Sequence, residues 1–240
     1  MEPVIKNYRN LFTPDGPGVR LVGADDNAPT CTMSYTEIAP DTTSAHHIHP
    51  WEHSIYILKG SGTIVCDGNN YPIKEGDAIF VPGEVNHYTL NDGGQGTIRR
   101  LEINPLSAQA GGARVGAENG TTGKAPMIRN FRDLSSGPGS RLIGKSDGVP
   151  NTVLLYNGAM APGTVSHTES GGHTHVWEHL SYILEGEGAL SCDGKEYRVA
   201  EGDAVLVPPD LHHQWLNPSS APMVRITFNP LYSDEAQGIA

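Results

Sequence analysis

Residues 47–53 of this chain read HIHPWEH, which places imidazoles at His47, His49 and His53. The three positions have the same parity, so an extended backbone sends all three side chains to one face. Imidazole is a common ligand of transition metals in proteins. The spacing therefore predicts a metal site on one face of a β-strand.

The motif returns as HTHVWEH at residues 173–179, with each histidine 126 positions after its counterpart. The same offset relates three further pairs of sites: Cys66 and Cys192, Gly76-Asp77 and Gly202-Asp203, and His87 and His213. A constant offset over so long a stretch indicates an internal duplication. We therefore predict two domains, with residues 1–106 in the first, a Gly- and Ala-rich linker over 107–126, and residues 127–240 in the second.

Short apolar runs separated by turn signals predict an all-β fold, and the 240 residues include 29 glycines and 18 prolines. After the first motif, the pattern predicts strands over residues 54–58, 63–66, 71–73 and 78–81, and another that begins near His87. The second repeat follows the same order as far as His213. The polar tail from residue 232 is expected to be frayed.

The repeats differ in length before their motifs. GPGVRLVG at residues 16–23 resembles GPGSRLIG at residues 137–144, but the offset here is 121 instead of 126. About five residues are therefore inserted in the second repeat, mostly in the turn-rich stretch VSHTESGG at residues 165–172.

Charge and composition exclude several classes of function. The formal net charge of −11 and the absence of clustered Lys and Arg argue against nucleic-acid binding. No apolar run approaches the ~20 residues of a membrane span, and the N-terminus lacks a signal-peptide pattern. Three cysteines do not form a disulfide framework. We expect a cytoplasmic protein that acts on a small molecule and has no nucleic-acid or membrane partner.

A fourth ligand for each site is expected from a neighbouring strand. His87 and His213 each follow a proline-containing turn, and in a closed antiparallel barrel their strand can lie beside the histidine motif. The predicted metal sites are His47, His49, His53 and His87, and His173, His175, His179 and His213. The remaining histidines, His46, His167 and His212, are interpreted as solvated or supporting groups.

The order of these residues resembles the motif of the cupin superfamily. That motif consists of HxH, a third ligand, a later Gly-Asp pair, a proline-containing turn and a final histidine. Two copies in tandem resemble a bicupin, over nearly the whole chain apart from the linker and termini. The resemblance implies two tandem cupin-type jelly-roll β-barrels, each with a metal site in its mouth. It also implies that the two barrels pack together through one sheet of each.

One departure from the family pattern concerns the third ligand. Many cupins have Glu at this position, which here falls on His53 and His179. Glu52 and Glu178 lie one residue earlier and point the other way on an alternating strand, so they are not predicted ligands. This all-histidine variant looks like the four-histidine cupins that hold manganese or iron. Imidazole suits Ni, Co, Cu and Zn as well, so the sequence does not select among these divalent ions, of which the chain would hold up to two.

Four neutral imidazoles leave a divalent ion with its full charge, which favours anionic ligands such as enolates, catecholates and carboxylates. An octahedral ion with four protein ligands keeps two open positions, enough for a bidentate substrate or for substrate and dioxygen. Strand parity predicts that the first pocket is lined by Ile55, Ile57 and Thr89, and the second by Ser181, Ile183 and Trp215. Both pockets are expected to be mostly apolar around the metal.

The same barrel hosts dioxygenases, decarboxylases, isomerases, hydrolases and mere binders, so the resemblance does not by itself fix the function. By analogy with the similar oxygen-using cupins, our first hypothesis is an enzyme, a metal-dependent dioxygenase that cleaves a C–C bond of a small enolic or aromatic anion. The alternatives are a non-oxidative metal-dependent isomerase, lyase or aminohydrolase, and a cupin that binds a small ligand without turnover. One of the two metals could be purely structural. Catalytic groups beyond the ligands are not identified, and a homo-oligomer is compatible with the sequence.

Overall fold

In the computed structural model, the chain is described over residues 1–14, 16, 18–94, 96–111, 114–115, 122–134 and 140–238. None of the helices in this part of the chain is long and apolar enough to cross a membrane. The first repeat contains strands β1 (Val4–Asn7), β2 (Val19–Val22), β3 (Cys31–Ile38), β4 (His47–Ile48), β5 (His53–Lys59), β6 (Ser61–Cys66), β7 (Asn69–Lys74), β8 (Asp77–Val81), β9 (His87–Leu90), β10 (Ile98–Pro105) and β11 (Arg114–Val115).

The second repeat contains strands β12 (Met127–Asn130), β13 (Ser140–Ile143), β14 (Thr152–Met160), β15 (His179–Glu185), β16 (Glu187–Cys192), β17 (Lys195–Ala200), β18 (Asp203–Val207), β19 (His213–Leu216) and β20 (Met223–Pro230), followed by the helix α1 (Tyr232–Ala236). Short 3-10 turns lie at Tyr8–Asn10, Ala24–Asp26, Leu106–Ala110, Phe131–Asp133 and Lys145–Asp147. The predicted strands after the first histidine motif are all present.

The strands form two antiparallel barrels, each made of a six-stranded sheet and a smaller one. The first barrel has the orders β12-β8-β5-β10-β3-β2 and β11-β4-β9-β6-β7, and the second has β1-β18-β15-β20-β14-β13 and β17-β16-β19. Isoleucine and valine side chains from both sheets fill each barrel. The prediction of an all-β fold with two tandem jelly-roll barrels is confirmed.

Each repeat gives its first strand to the other barrel. β1 pairs with β18 of the second barrel, and β12 pairs with β8 of the first. Asn7 Nδ2 donates to the Asp203 carboxylate and Asn130 Nδ2 donates to the Asp77 carboxylate, both at 2.7 Å. The aspartates of the Gly-Asp turns therefore hold the exchanged strands, β1 and β12, by hydrogen bonds. The domain bounds at residues 106 and 127 remain a prediction.

The glycine of each Gly-Asp turn permits a close approach of the exchanged segment. Gly76 has φ +87°, and a Cβ there would lie 2.7 Å from the Phe131 ring. Gly202 has φ +93°, and a Cβ there would lie 2.9 Å from the Tyr8 ring. A side chain at either position would combine an unfavourable backbone conformation with displacement of an aromatic ring.

The two six-stranded sheets pack face to face and form a shared core between the barrels. Leu21, Met33 and Leu101 of the first barrel lie in the same apolar cluster as Leu154 and Phe228 of the second. Tyr56 and Tyr182, which have outward parity in the barrel strands, are buried in this cluster as well. The predicted packing through one sheet of each barrel is therefore present.

The polar C-terminal tail forms the helix α1 and packs against the second barrel, so the expectation of a frayed end is wrong. Ser233 and Asp234 of α1 are fully buried. The Asp234 carboxylate accepts from Arg141 Nη2 at 2.7 Å and from its Nε as well. The local sequence looked polar and therefore exposed. It could not show that the Asp234 carboxylate is buried, because its charge partner, Arg141, lies far away in the chain.

Replacement of Asp234 by alanine should lower the free energy of unfolding by about 3 kcal/mol, because it removes the partner of a largely buried guanidinium. Glu235→Ala is the matched control, since the Glu235 carboxylate is more than half exposed and lies 3.7 Å from Lys145. The control should change the free energy by less than about 0.5 kcal/mol. Urea denaturation measures both values, and equal effects would contradict the role of α1.

Candidate metal centres

The first histidine motif is divided between two sheets of its barrel. His47 lies in β4, the chain bends over residues 49–52, and His53 begins β5 in the opposite sheet. The expectation of one extended strand is therefore wrong, although the three rings do converge. The bend brings them together from two sides of the barrel mouth.

Stacking and a backbone hydrogen bond hold the bend. The Trp51 ring lies parallel to the His49 ring at 4.2 Å, and Trp177 lies in the same way on His175. The Glu84 N–H donates to the His49 carbonyl at 2.7 Å, and the Asp210 N–H donates to the His175 carbonyl at 2.8 Å. The tryptophans thus position ligands by packing.

The ring nitrogens of the first group converge on one point. His49 Nε2 lies 2.7 Å from His53 Nε2, and His47 Nε2 lies 3.3 Å from the same atom. His87 joins them from β9, where it is the register partner of His47. The four candidate ligand atoms all lie within 4.8 Å of one another.

Hydrogen bonds donated by the Nδ1 atoms leave the Nε2 lone pairs free for a metal. In the first group each Nδ1 donates to an oxygen outside the group: His47 to Ala45 O (2.8 Å), His49 to Trp51 O (2.6 Å), His53 to Asn104 Oδ1, and His87 to Val85 O (2.8 Å). Such partners fix the tautomer and orient the ring toward a metal. His87 Nε2 is buried and has no partner among the described residues.

The electrostatics of the group fit a bound cation. Burial, together with the neighbouring imidazoles, lowers the pKa of His49 to about 3 and that of His87 to about 2. Burial also lowers the pKa of His53, so the His49, His53 and His87 rings are neutral near pH 7. His49 and His53 therefore face each other with lone pairs at both Nε2 atoms. Two acceptors at hydrogen-bond distance repel each other unless a cation lies between them. The donor set suits a divalent transition ion.

The second group repeats this arrangement with one difference. His175 Nε2 lies 2.8 Å from His179 Nε2, and all four candidate ligand atoms again lie within 4.8 Å of one another. Three of the rings donate from Nδ1: His175 to Trp177 O (2.7 Å), His179 to Asn229 Oδ1 (2.6 Å) and His213 to Leu211 O (2.8 Å). His173 Nδ1 has no partner among the described residues.

Glu52 and Glu178 point away from the histidines and contact the opposite repeat. Glu52 is buried and accepts from Asn151 Nδ2 at 2.7 Å, while Glu178 is buried and accepts from the Thr30 hydroxyl. Thr30 and Asn151 precede equivalent strands, so the two contacts are related by the duplication. Each metal motif is thus tied to the other repeat by the glutamate that was not predicted as a ligand. The glutamates lie in the bend before β5 and β15, so their direction comes from these contacts and not from strand alternation.

A cavity adjoins each group, and charged or polar side chains contribute to the lining of both. The first has a volume of about 220 Å³ and is lined by Arg20, Thr32, Glu102 and Asn104 beside the histidines. The second, of about 480 Å³, is lined by Arg141, Asn157, Arg225, Thr227 and Asn229 beside its histidines and tryptophans.

The residues predicted to line the two cavities are therefore wrong apart from Trp215, which does line the second cavity. Ile55, Ile57 and Ile183 pack inside the barrels. Thr89 and Ser181 are engaged in hydrogen bonds. The prediction considered the strands that carry the histidines and overlooked β10 and β20, whose polar residues face the cavities.

His167 was not predicted as part of a site, but it lines the second cavity. Its ring lies 4.0 Å from the His173 ring. The first cavity has no such residue, because His167 lies in the stretch inserted in the second repeat. The length difference between the repeats was therefore the feature of the sequence that could have pointed to His167.

The comparison with protein families gives two matches to the family described as "Cupin domain", at residues 34–103 and 159–228. A curated relative, an uncharacterized protein of Methanocaldococcus jannaschii, is 34% identical over 65 residues, which are 26% of this chain and 52% of the relative. Gentisate 1,2 dioxygenase 1 of Aquipseudomonas alcaligenes is 36% identical over 76 residues, 30% of this chain and 21% of that protein. The chain thus spans about half of the first relative and about a fifth of the second.

Solved structures with the same fold include salicylate 1,2-dioxygenase from Pseudoaminobacter salicylatoxidans as adducts with gentisate. The TM-score is 0.75 at 16% identity, covering 99% of this chain and 83% of that one. A putative glyoxylate induced protein from Pseudomonas aeruginosa has a TM-score of 0.65 at 17% identity, covering 84% of this chain and 74% of that one. At these identities the likeness shows the two-barrel fold.

Asn229→Leu should weaken metal binding at the second centre by about 10- to 100-fold, because it removes the acceptor that orients His179 while keeping a similar volume. Competition with a chromophoric chelator measures the affinity of each centre. The first centre, whose equivalent residue is Asn104, serves as the control within the same chain and should keep its affinity. Unchanged binding at both centres would contradict the assigned role of Asn229.

Proposed function

The chain belongs to the cupin family, and on this premise we propose that it is a metal-dependent dioxygenase that cleaves a C–C bond of a small enolic or aromatic anion. The observation that carries the proposal is the convergence of four neutral imidazoles, without a carboxylate ligand, beside a cavity that contains arginine. A cation held by neutral ligands attracts an anionic substrate.

The comparisons support the choice of substrate class. One curated relative is a gentisate 1,2 dioxygenase, and structures of the same fold include a salicylate 1,2-dioxygenase with gentisate. Gentisate and salicylate are both hydroxybenzoates, that is, flat anions with a carboxylate next to a hydroxyl group. Their size and charge suit a cavity of about 480 Å³ lined by Trp177, Trp215 and Arg225.

The metal ligands are proposed to be His47, His49, His53 and His87 in the first centre, and His173, His175, His179 and His213 in the second. Iron or manganese is the proposed ion, because both suit imidazole and both support oxygen chemistry. When bound, such an ion would supply a Lewis acid and a redox centre.

The chain itself positions and shields the reaction. Asn104 and Asn229 hold one ligand of each centre in its orientation. Trp177 and Trp215 contribute aromatic surface to the lining of the second cavity, which suits a flat ring. Buried ligands such as His213 keep water from one side of the centre.

A cytoplasmic location is part of the proposal. It is supported by Cys31, Cys66 and Cys192, which are buried and not joined in disulfides.

Oxygen consumption tests the proposed activity. The protein, reconstituted anaerobically with Fe(II) or Mn(II), should consume about one equivalent of dioxygen per molecule of gentisate, salicylate or a catecholic analogue that it converts. Loss of the aromatic absorbance reports ring cleavage independently. Conversion of a substrate without oxygen uptake would replace the proposal by a Lewis-acid reaction, and binding without conversion would leave a ligand-binding cupin.

A further inference from the structure

The two repeats differ at one charged position next to their centres. Strands β10 and β20 align with an offset of 125, and Arg100 and Arg225 occupy equivalent places opposite Ile57 and Ile183. Two residues later, the first repeat has Glu102 where the second has Thr227. One member of an ion pair is therefore missing from the second repeat.

In the first centre the arginine is neutralised inside the protein. Arg100 is 6% exposed, and its Nη2 donates to Glu102 Oε2 at 3.0 Å. Its other nitrogens donate to Thr89 Oγ1 at 2.6 Å and to Thr36 Oγ1 at 3.1 Å. The second oxygen of Glu102 lies 3.8 Å from His53 Nδ1. A carboxylate of the chain thus already lies between Arg100 and His53, one of the candidate ligands of the first centre.

In the second centre the equivalent arginine has no such partner. Among the described residues, no carboxylate forms an ion pair with Arg225, and its Nε is shut off from solvent without an acceptor. The Thr227 hydroxyl bonds instead to Asn157 at 2.8 Å and to Ser181 at 2.9 Å. The guanidinium lies 4.7 Å from the centre of the Trp215 ring. Arg225 is partly exposed, so an anion in the cavity can reach the guanidinium. Such an anion would supply the charge partner that the described residues do not provide.

The other arginines beside the cavities are accounted for. Arg141 lines the second cavity, but its charge is paired with Asp234 at 2.7 Å. Arg20, its counterpart in the first repeat, lines the first cavity, is exposed, and donates to Ser34 Oγ at 3.0 Å. Burial lowers the pKa of Arg225 to about 10, so this guanidinium remains charged at neutral pH.

We propose that Arg225 is the anchor for a substrate carboxylate in the second centre, at the place that the Glu102 carboxylate fills in the first. The second centre is then the substrate site, while the first centre carries its own anion. The larger second cavity and the added His167 agree with this division. The inference rests on the proposed function only in taking the substrate to be a small anion.

Calorimetric titration tests the anchor without turnover. The protein is loaded with Mn(II) under nitrogen and titrated with salicylate and with salicylamide, its neutral analogue. Wild type should bind about one salicylate per chain. Arg225→Gln should weaken salicylate binding by about 10- to 100-fold, the range for a hydrogen bond to a charged group. Salicylamide binding and Mn content should change little.

Three further variants give the test its controls. Arg20→Gln removes the same charge beside the first cavity and should leave the salicylate affinity within about twofold. Arg225→Lys keeps the charge and should bind salicylate better than Arg225→Gln. Thr227→Glu introduces the carboxylate of the first repeat and should abolish salicylate binding while Mn content is retained.

Two results would overturn the proposal: salicylate affinity unchanged in Arg225→Gln, or lost in Arg20→Gln instead. Oxygen uptake separates this outcome from failure of the proposed function. If Arg225 controls binding but no oxygen is consumed, the anchor stands and the dioxygenase proposal fails. If oxygen is consumed equally by wild type and Arg225→Gln, the dioxygenase proposal stands and the anchor fails.

Discussion

Mutual repulsion of neutral imidazoles is the constraint on which this structure depends. In each barrel mouth two Nε2 atoms approach within 2.8 Å while their Nδ1 atoms donate elsewhere, so the facing lone pairs require a cation. The bend after His47, the tryptophan on His49 and the asparagine on β10 all serve to hold this arrangement. The barrels supply a rigid frame for groups that would otherwise separate.

The duplication ties the two centres into one molecule. Each repeat lends a strand to the other barrel, and each metal motif sends a buried glutamate to the opposite repeat, Glu52 to Asn151 and Glu178 to Thr30. A change in the packing between the barrels therefore reaches the bend that carries the ligands. Within this symmetric frame, exchange of Glu102 for Thr227 makes the electrostatics of the centres unequal, and we take this inequality as a division of labour.

The fold and the histidine clusters followed from the sequence because the duplication marks them twice. An offset of 126 for four histidines and regular turn signals specify paired barrels without knowledge of any contact. The cavity lining did not follow, since Arg225 and Glu102 lie on strands that meet the histidines only after the barrel closes. The exchange of β1 and β12 between the barrels and the burial of Asp234 were not predicted for the same reason. Each depends on a partner that is distant in sequence.

Metal content per chain is the most direct test of the central claim that each barrel holds an ion with four histidines. Elemental analysis of the protein, after anaerobic reconstitution, should give two transition-metal ions per chain. His49→Ala and His175→Ala, prepared separately, should each retain one, because each removes a ligand from a single centre. The absence of any stoichiometric transition metal in the wild type would contradict the account.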